Sequence, residues 1–343
     1  MLTRREALAA LSVLVGGSCN PGSGNFRPSW LDDGKFRWTA SPPLIEPVAG
    51  RNDPCHAIKD PSVVFYDHHW HIFATIRSRK RTHQIEYLSF ADWDSTAKAH
   101  RVVLQLTDGY FCAPQVFWHT PQERWYLLYQ VSDPTRKPSL QPAYSTTKSI
   151  AKPDSWTKPK LLFDKHPEHV RTWIDFWMIS DGERMHLFFT SLDGKMWRAS
   201  AKAGDFPRGW DKPEVALEGD IFEASHTYKL QGIDKFLTLI EAQAPGGRRY
   251  YKAYVADQLD GKWTGLADTL ERSFAAPANV RDKTEHWTDS FSHGELLRAG
   301  HDERLEINPK RLQFLFQGVS DKDRQGKPYG EIPWKLGLLS SVT

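Results

Sequence analysis

The chain has 343 residues, of which 40% are hydrophobic and 25% are charged, so it is long enough to bury one large core. Its 45 lysines and arginines are almost balanced by 42 acidic residues spread along the sequence, which gives a net charge of +3. This distribution offers no basic stripe for a phosphate backbone. The sequence also lacks a G-x-G-x-x-G motif and a P-loop, so neither nucleic acid nor a nucleotide or other organic cofactor is expected.

The first 19 residues have the pattern of an export signal. Thr3-Arg4-Arg5 precedes an apolar run from Ala7 to Val15, which is similar to a twin-arginine signal and is too short to span a bilayer. The small residues Gly16-Gly17-Ser18 before Cys19 are similar to a bacterial lipobox. We therefore expect export from a bacterial cytoplasm, with the mature protein either lipid-anchored through Cys19 or released as a secreted or periplasmic protein. Residues 20–33 are predicted to form a flexible tether.

A unit built from strands recurs along residues 34–343. It has a polar opener, an apolar strand, a short polar turn, and a second strand rich in aromatic and β-branched residues. Clear copies begin at Asp60, Asp175 and Glu223, and looser copies begin at Ala113 and His293. In the fifth copy, which reads HGELLRAGHDERLEI, the second strand is expected at its end.

A strand repeat of 48 to 70 residues indicates a β-propeller with one repeat per blade. Five copies predict an all-β, five-bladed β-propeller that forms a single domain over residues 34–343. Because the first strand of each blade lines the central channel, Asp60, Asp175 and Glu223 should meet at one end of it. An acidic residue before a strand can also simply close a turn, but three of them at the same place in the repeat favour a shared site.

Two cysteines lie in the body of the chain, Cys55 and Cys112, each within a few residues of a repeat opener. In an oxidising compartment they could form one disulfide between the first two blades. The alternative is two buried free thiols.

Three carboxylates around one channel suit the hydrolysis of a glycosidic bond. One carboxyl group protonates the departing oxygen, the other activates water or attacks the sugar, and a third can hold the proton of the acid by like-charge coupling. Lys59 would keep its neighbour Asp60 ionised, as a base requires. The apolar Ile221-Phe222 would keep a proton on Glu223, as an acid requires.

Segments along most of the domain, from about Phe36 to Leu339, resemble one enzyme family. The segments are Ile58-Lys59-Asp60-Pro61, Ile174-Asp175-Phe176-Trp177, Ile221-Phe222-Glu223-Ala224-Ser225, Tyr228-Lys229-Leu230, Leu239-Ile240-Glu241-Ala242, Arg249-Tyr250-Tyr251, Ser292-His293-Gly294-Glu295, Leu312–Gly318, Tyr329 and Leu336-Gly337-Leu338-Leu339. They resemble glycoside hydrolase family 62, the α-L-arabinofuranosidases that remove arabinose side chains from arabinoxylan and arabinan. The resemblance implies a five-bladed propeller and an inverting hydrolase, with arabinose-substituted plant polysaccharide as the substrate. We expect the protein to be a monomer.

The resemblance also implies roles for individual residues. Asp60 is expected to be the general base, Glu223 the general acid, and Asp175 the carboxylate that tunes and orients the acid. Lys59, Arg249 and Tyr329 match positions that line or support the arabinose pocket.

The resemblance matches two further positions. Trp177 matches a position at the arabinose pocket, although a core aromatic is an equal alternative. His293 matches a position near a metal, usually calcium, on the propeller axis. Because calcium prefers oxygen ligands, water would fill most of its coordination shell.

Two positions depart from the family pattern. Val131 stands where many members have a tryptophan after the Tyr-Gln pair, so an aromatic wall near the sugar is absent. Lys310 stands where members commonly have a cysteine, so the usual disulfide of the family cannot form.

Two other readings fit the carboxylates less well. A family 43 β-xylosidase or endo-arabinanase uses a similar base, modulator and acid on the same fold, but the segments around Glu223 and His293 favour family 62. A non-catalytic glycan-binding propeller has no need of a protonated acid opposite an ionised base.

Overall fold

The computed structural model describes residues 27–48, 53–282 and 285–342. Within them the chain forms five mainly antiparallel sheets, and the predicted five-bladed β-propeller is confirmed. Blades 1 to 3 each have four strands: β2 Cys55–Tyr66, β3 His69–Ser78, β4 His83–Phe90 and β5 His100–Val103; β6 Phe111–His119, β7 Arg124–Ser132, β8 Leu140–Thr147 and β9 Lys160–Leu161; β10 Ile174–Ser180, β11 Arg184–Thr190, β12 Lys195–Lys202 and β13 Glu214–Glu218.

Blades 4 and 5 each gain extra strands from elsewhere in the chain. Blade 4 contains β14 Glu223–Leu230, β15 Phe236–Gln243, β16 Arg249–Ala256 and β17 Thr264–Ala267, with β20 Glu306–Ile307 parallel to β14. Blade 5 contains β19 Ser290–Leu296, β21 Gln313–Val319, β22 Lys335–Ser341, β1 Trp38–Ala40 and β18 Val280–Asp282. The helices are short: α1 Trp30–Asp33, α2 Asp321–Arg324 and six 3₁₀ turns at Trp93–Lys98, Thr120–Gln122, Pro153–Ser155, Pro245–Gly247, Pro277–Asn279 and Tyr329–Glu331.

Local sequence explains the hairpins within the blades. Between β2 and β3 the pair Tyr66↔His69 closes a loop of two residues, Asp67 and His68, whose φ values are 47° and 61°. Positive φ at both loop residues matches the twist of the flanking strands, and Asp and His tolerate this conformation better than β-branched residues do.

The N-terminal strand closes the ring. β1 pairs antiparallel with β22, where Trp38 faces Ser341, so the start and the end of the domain share blade 5. α1 precedes this strand, and its Trp30 and Leu31 are buried in the main core. The tether predicted over residues 20–33 is therefore wrong for its last part, because two large apolar side chains anchor α1 to the domain.

A segment that we call the strap, residues 297–307, crosses the end of the propeller between β19 and β21. The amides of Trp118, Ser180 and Lys229 donate to the strap carbonyls of His301, Glu303 and Leu305 at 2.8, 2.8 and 3.3 Å. The strap thus touches blades 2, 3 and 4 in turn. The second strand expected at the end of the fifth repeat is wrong, because residues 306–307 pair with blade 4 and β21 is the true partner of β19.

Both body cysteines are free thiols, so the disulfide alternative is wrong in this structure. Cys112 is buried and lies 3.1 Å from the Tyr110 hydroxyl and from Nε2 of Gln130, while Cys55 is half-buried.

Residues 1–26 lie outside the described residues, so the export signal and the Cys19 anchor stay predictions. In the part of the chain that is described, no helix has the length and apolar character needed to cross a membrane.

Candidate active site

One extra residue interrupts the inner strand of every blade at the same end of the channel. The pairing between inner strand and second strand slips at each of these bulges. The inserted position falls at Asp60, Ala113, Asp175, Ala224 and His293, and in the first four φ is positive, between 46° and 55°. Such bulges re-aim side chains and are typical of strand ends next to active sites.

The bulges correct the predicted place of Glu223. Asp60 and Asp175 do occupy equivalent bulge positions, but in blade 4 that position belongs to Ala224, and Glu223 stands one residue earlier. Glu223 is therefore equivalent to Lys59. On a regular strand neighbouring side chains point to opposite faces, whereas the bulge brings Nζ of Lys59 to 3.6 Å from Oδ1 of Asp60.

The bulges bring the predicted catalytic residues together. Nδ1 of His293 lies 3.6 Å from Oδ1 of Asp60 and 3.9 Å from Oδ2 of Asp175. The same Asp175 oxygen accepts a hydrogen bond from the Ala224 amide at 3.3 Å, directly beside Glu223. Asp60, Asp175 and His293 are buried, while Glu223 keeps part of its surface open to solvent.

The surrounding protein raises the pKa values of two of the carboxyl groups. Burial, then the charges of Asp175 and Glu241, raise the pKa of Glu223 well above its usual value. Burial and the nearby Asp60 raise the pKa of Asp175 to about 7. The site therefore favours a proton on Glu223 at neutral pH.

The nitrogen bases of the site are also perturbed. Burial alone would lower the pKa of Lys59, but the Asp60 carboxylate raises it above its usual range, so this lysine stays charged. Burial and the Lys59 charge lower the pKa of His293 to about 3, so its imidazole is neutral. Asp60 thus faces a permanent cation on one side and a neutral ring on the other.

Three further side chains form a wall beside the carboxylates. The Arg249 guanidinium carbon lies 3.6 Å from the centroid of the Phe222 ring and 5.9 Å from that of Tyr329. The Tyr329 hydroxyl is 3.3 Å from Nζ of Lys59, and the side chain is 47% exposed, which places it at the mouth of the site. Arg249 is buried, and its Nη1 has no hydrogen-bond partner within the described residues.

Trp177 does not reach the open part of the site. It is 1% exposed, its Nε1 donates to the Thr227 carbonyl at 2.9 Å, and its ring stacks on His226 at 4.0 Å. His226 in turn contacts His293, with ring centroids 4.9 Å apart. Of the two alternatives, the structure favours the core aromatic: Trp177 supports the imidazoles from below.

Sequence reasoning gave no role to three polar residues of the second strands. Gln130, Glu241 and Gln317 each lie across the ladder from the residue that precedes a bulge. Gln317 accepts the Asp60 amide at 2.7 Å, and Glu241 accepts the His293 amide and the Ser292 hydroxyl at 2.9 and 2.7 Å. The available signal was a lone polar residue inside each apolar run.

The residues around His293 do not form a calcium site by themselves. Within the described ranges no group of three or more His, Cys, Asp or Glu side chains is arranged to hold a metal ion. The carboxylates facing His293 are those of Asp60 and Asp175, which form the acidic centre.

A propeller with these carboxylates at one end of its channel matches a known family. The model of glycosyl hydrolase family 62 matches residues 37–340. The chain belongs to glycosyl hydrolase family 62. The catalytic domain of a family 62 α-L-arabinofuranosidase from Coprinopsis cinerea is 35% identical, with a TM-score of 0.84 over 90% of this chain and 98% of that domain.

Two other relatives agree with this assignment. An α-L-arabinofuranosidase from Podospora anserina, solved in complex with cellotriose, is 33% identical, with a TM-score of 0.83 over 90% of this chain and 98% of that one. Alpha-L-arabinofuranosidase C from Cellvibrio japonicus (strain Ueda107) is 35% identical over 312 residues, which are 89% of this chain. The match spans about half, 47%, of the length of that curated relative.

Proposed function

We propose that this chain is an inverting, exo-acting α-L-arabinofuranosidase that releases arabinose side chains from arabinoxylan or arabinan. The observation that carries the proposal is that two carboxyl groups at the bulged end of the channel have opposite surroundings. Glu223 has a raised pKa and an open edge, whereas Asp60 is buried 3.6 Å from the ammonium of Lys59. Glycoside hydrolysis requires one carboxyl group that keeps a proton to donate and one that can accept a proton from water.

In the proposed reaction, Glu223 gives its proton to the glycosidic oxygen as the bond from that oxygen to the anomeric carbon breaks. Asp60 takes a proton from a water molecule that attacks the anomeric carbon from the opposite face. One bond forms and one breaks in the same step, so the configuration at that carbon inverts. Asp175, bonded to the Ala224 amide, orients Glu223 and keeps the proton on it.

The wall beside the carboxylates suits a single terminal furanose. Lys59 and Arg249 present an ammonium and a guanidinium beside the carboxylates, and Tyr329 places its phenol at the mouth of the site. Nη1 of Arg249 makes only an ion pair with Glu241 at 3.7 Å and no hydrogen bond within the described residues, so it has donor capacity left for a sugar hydroxyl. Where the family resemblance implies a tryptophan near the sugar, this chain has Val131, so that aromatic contact would be absent.

The substrate class and the setting complete the proposal. The named activities of the relatives, all α-L-arabinofuranosidases, support an arabinose-substituted plant polysaccharide as the partner. We further propose that a monomer acts outside the cytoplasm after export through the signal in residues 1–19, with Cys19 as the candidate lipid-bearing residue.

The stereochemistry of the first product tests the mechanism. A water molecule fits between acid and base when their carboxyl groups are roughly 6.5 to 9.5 Å apart, which is the inverting arrangement. Proton NMR of the earliest products from a chromogenic arabinofuranoside should show β-arabinofuranose before mutarotation. Initial release of the α-anomer would exclude inversion.

The products released from a polymer test the mode of action. Wheat arabinoxylan and sugar-beet arabinan should yield arabinose alone, with little loss of viscosity, because the backbone stays intact. Oligosaccharides and a steep fall in viscosity would indicate an endo-arabinanase. Measurable binding without any released sugar would indicate a glycan-binding module.

A further inference from the structure

Side chains of the second strands join neighbouring blades at the bulges. At each of four blade junctions, the amide of a bulge residue donates to a polar side chain of the preceding blade. In order, the amides of Ala113, Asp175, His293 and Asp60 donate to Thr75, Gln130, Glu241 and Gln317, at 2.9, 3.3, 2.9 and 2.7 Å. All four acceptors lie across the ladder from the residue that precedes the bulge of their own blade.

The junction between blades 3 and 4 breaks this pattern. Thr190 holds the equivalent place, across the ladder from Ile174, and is fully buried. Its hydroxyl has no hydrogen-bond partner among the described residues. The amide that it would receive, that of Ala224, donates instead to Oδ2 of Asp175 at 3.3 Å.

The length of threonine does not explain the difference. Thr75 is the same residue type at the same ring position, and its hydroxyl does reach the next bulge amide. A carboxylate is a stronger acceptor for an N–H group than a hydroxyl is. Leaving a buried hydroxyl unsatisfied is unfavourable, so the bond between Asp175 and Ala224 outweighs that cost.

We propose that the Ala224 amide is the group that positions Asp175 beside the acid, and that this junction has exchanged a structural hydrogen bond with Thr190 for a positioning one with Asp175. Ala224 directly follows Glu223, so an oxygen fixed on its amide is held next to the acid. The inference rests on the proposed role of Asp175 as the modulator of Glu223.

Matched valine variants test whether the Thr190 hydroxyl makes a stabilising hydrogen bond. T75V removes the acceptor of the Ala113 amide and should lower the melting temperature. T190V, the same substitution at the same ring position, should leave the melting temperature unchanged or raise it, because it removes a buried hydroxyl without a partner. A drop in T190V as large as that in T75V would overturn the inference. This comparison needs no activity, so it stands even if the proposed function fails.

A longer acceptor at residue 190 tests the positioning role. T190Q places at this junction the side chain that Gln130 and Gln317 use at two others, so it should capture the Ala224 amide and release Asp175. We expect kcat on a chromogenic arabinofuranoside to fall at least tenfold relative to T75Q, the matched control, with KM within twofold of it. Equal kcat values in T190Q and T75Q, with the glutamine seen on the Ala224 amide in a crystal structure, would overturn the inference.

A second variant covers poor folding of T190Q. In D175A the Ala224 amide loses its carboxylate, and the crystal structure should show the Thr190 hydroxyl turned toward that amide, as Thr75 is toward Ala113. A Thr190 hydroxyl that stays away from the Ala224 amide would contradict the exchange. Failure of the wild type to release arabinose would instead refute the proposed function.

Discussion

The roles of the acidic residues depend on which atoms each one touches. Asp60 and Glu223 both stand at the channel entrance, but only Asp60 has a cation at 3.6 Å. Glu223 follows Phe222, whose ring is covered by Arg249, and it shares its surroundings with two other carboxylates, those of Asp175 and Glu241. A bulge aims Asp60 toward Lys59, which residue order alone would place on the opposite face.

Amide variants of the acid and the base should separate their roles. Asp60→Asn and Glu223→Gln should each reduce kcat by about 10² to 10⁴, the usual loss when general acid or base assistance is removed. Added azide should rescue neither variant through a glycosyl-enzyme, because an inverting enzyme forms none. Near-normal turnover of Glu223→Gln on arabinoxylan would show that another group is the acid.

The calcium ion expected near His293 stays a prediction, which melting curves can test. If calcium binds the folded state, EDTA should lower the melting temperature of the wild type by ligand linkage. His293→Ala should lower it similarly, and EDTA should then add little. If EDTA left the wild-type melting temperature unchanged and elemental analysis found no metal, His293 would keep only its contacts with protein groups, among them Asp60, Asp175 and His226.

At the scale of strands, the repeat pattern predicted the inner strands well because each one has its own apolar run and turn. It failed where the partner of a strand is set by the path of the chain. Residues 306–307 have the sequence pattern of a blade strand, yet the path of the strap pairs them with β14 of blade 4. The sequence also did not reveal the bulges, because one inserted residue leaves the apolar pattern unchanged. Glu223 was therefore equated with the bulge residue Asp60, although Ala224 holds that position in blade 4.

The buried ion pair between Glu295 and Arg298, at the start of the strap, links blades 1, 2 and 5. Nε of Arg298 lies 2.7 Å from Oε1 of Glu295, and its Nη2 donates to the carbonyls of Val63 and Val116 at 2.8 Å each. The guanidinium of this strap residue thus binds the inner strands of blades 1 and 2. Glu295 also accepts the Val63 amide at 3.0 Å.

Breaking this pair from one side should be costly. Arg298→Met removes the guanidinium and leaves the fully buried Glu295 charge uncompensated, so the free energy of unfolding should fall by about 3 to 5 kcal/mol. The double variant Glu295→Gln/Arg298→Met has no such charge and should lose less. Denaturant midpoints of the wild type and both variants measure this, and a double variant less stable than Arg298→Met would contradict the argument.

For the whole molecule, buried carboxyl groups and imidazoles make folding depend on pH in two opposing ways. Burial raises the pKa of Asp175 and Glu241, so their ionisation destabilises the fold as pH rises. Burial lowers the pKa of His71, His119 and His293, so their protonation destabilises the fold as pH falls. Stability should therefore be greatest between these limits, and single variants are needed to separate the contributions.

Asp175→Asn isolates one of the carboxyl effects. The folded pKa of about 7 exceeds the unfolded value of 3.8, so below about pH 4 the aspartic acid is protonated in both states and costs nothing. As pH rises to 7, the folded state resists ionisation of Asp175. The free energy of unfolding of the wild type therefore falls by up to about 4 kcal/mol, and that of the asparagine variant does not. The melting temperature of Asp175→Asn relative to the wild type should thus rise between pH 4 and 7 and then level off.

Asp181→Asn provides the control of opposite sign. Burial alone would raise the pKa of Asp181, but hydrogen bonds from the Arg184 amide and His186 lower it. Its ionised form therefore stabilises the fold, and Asp181→Asn should be less stable than the wild type at neutral pH, with a difference that shrinks as the solution is acidified. Calorimetry of the three proteins from about pH 2 to pH 8 measures both trends, because the Asp181 difference shrinks only below its unfolded pKa of 3.8. A difference between Asp175→Asn and the wild type that stays constant across this range would mean that Asp175 has no raised pKa in the folded protein, and Glu223 would then need another source for its retained proton.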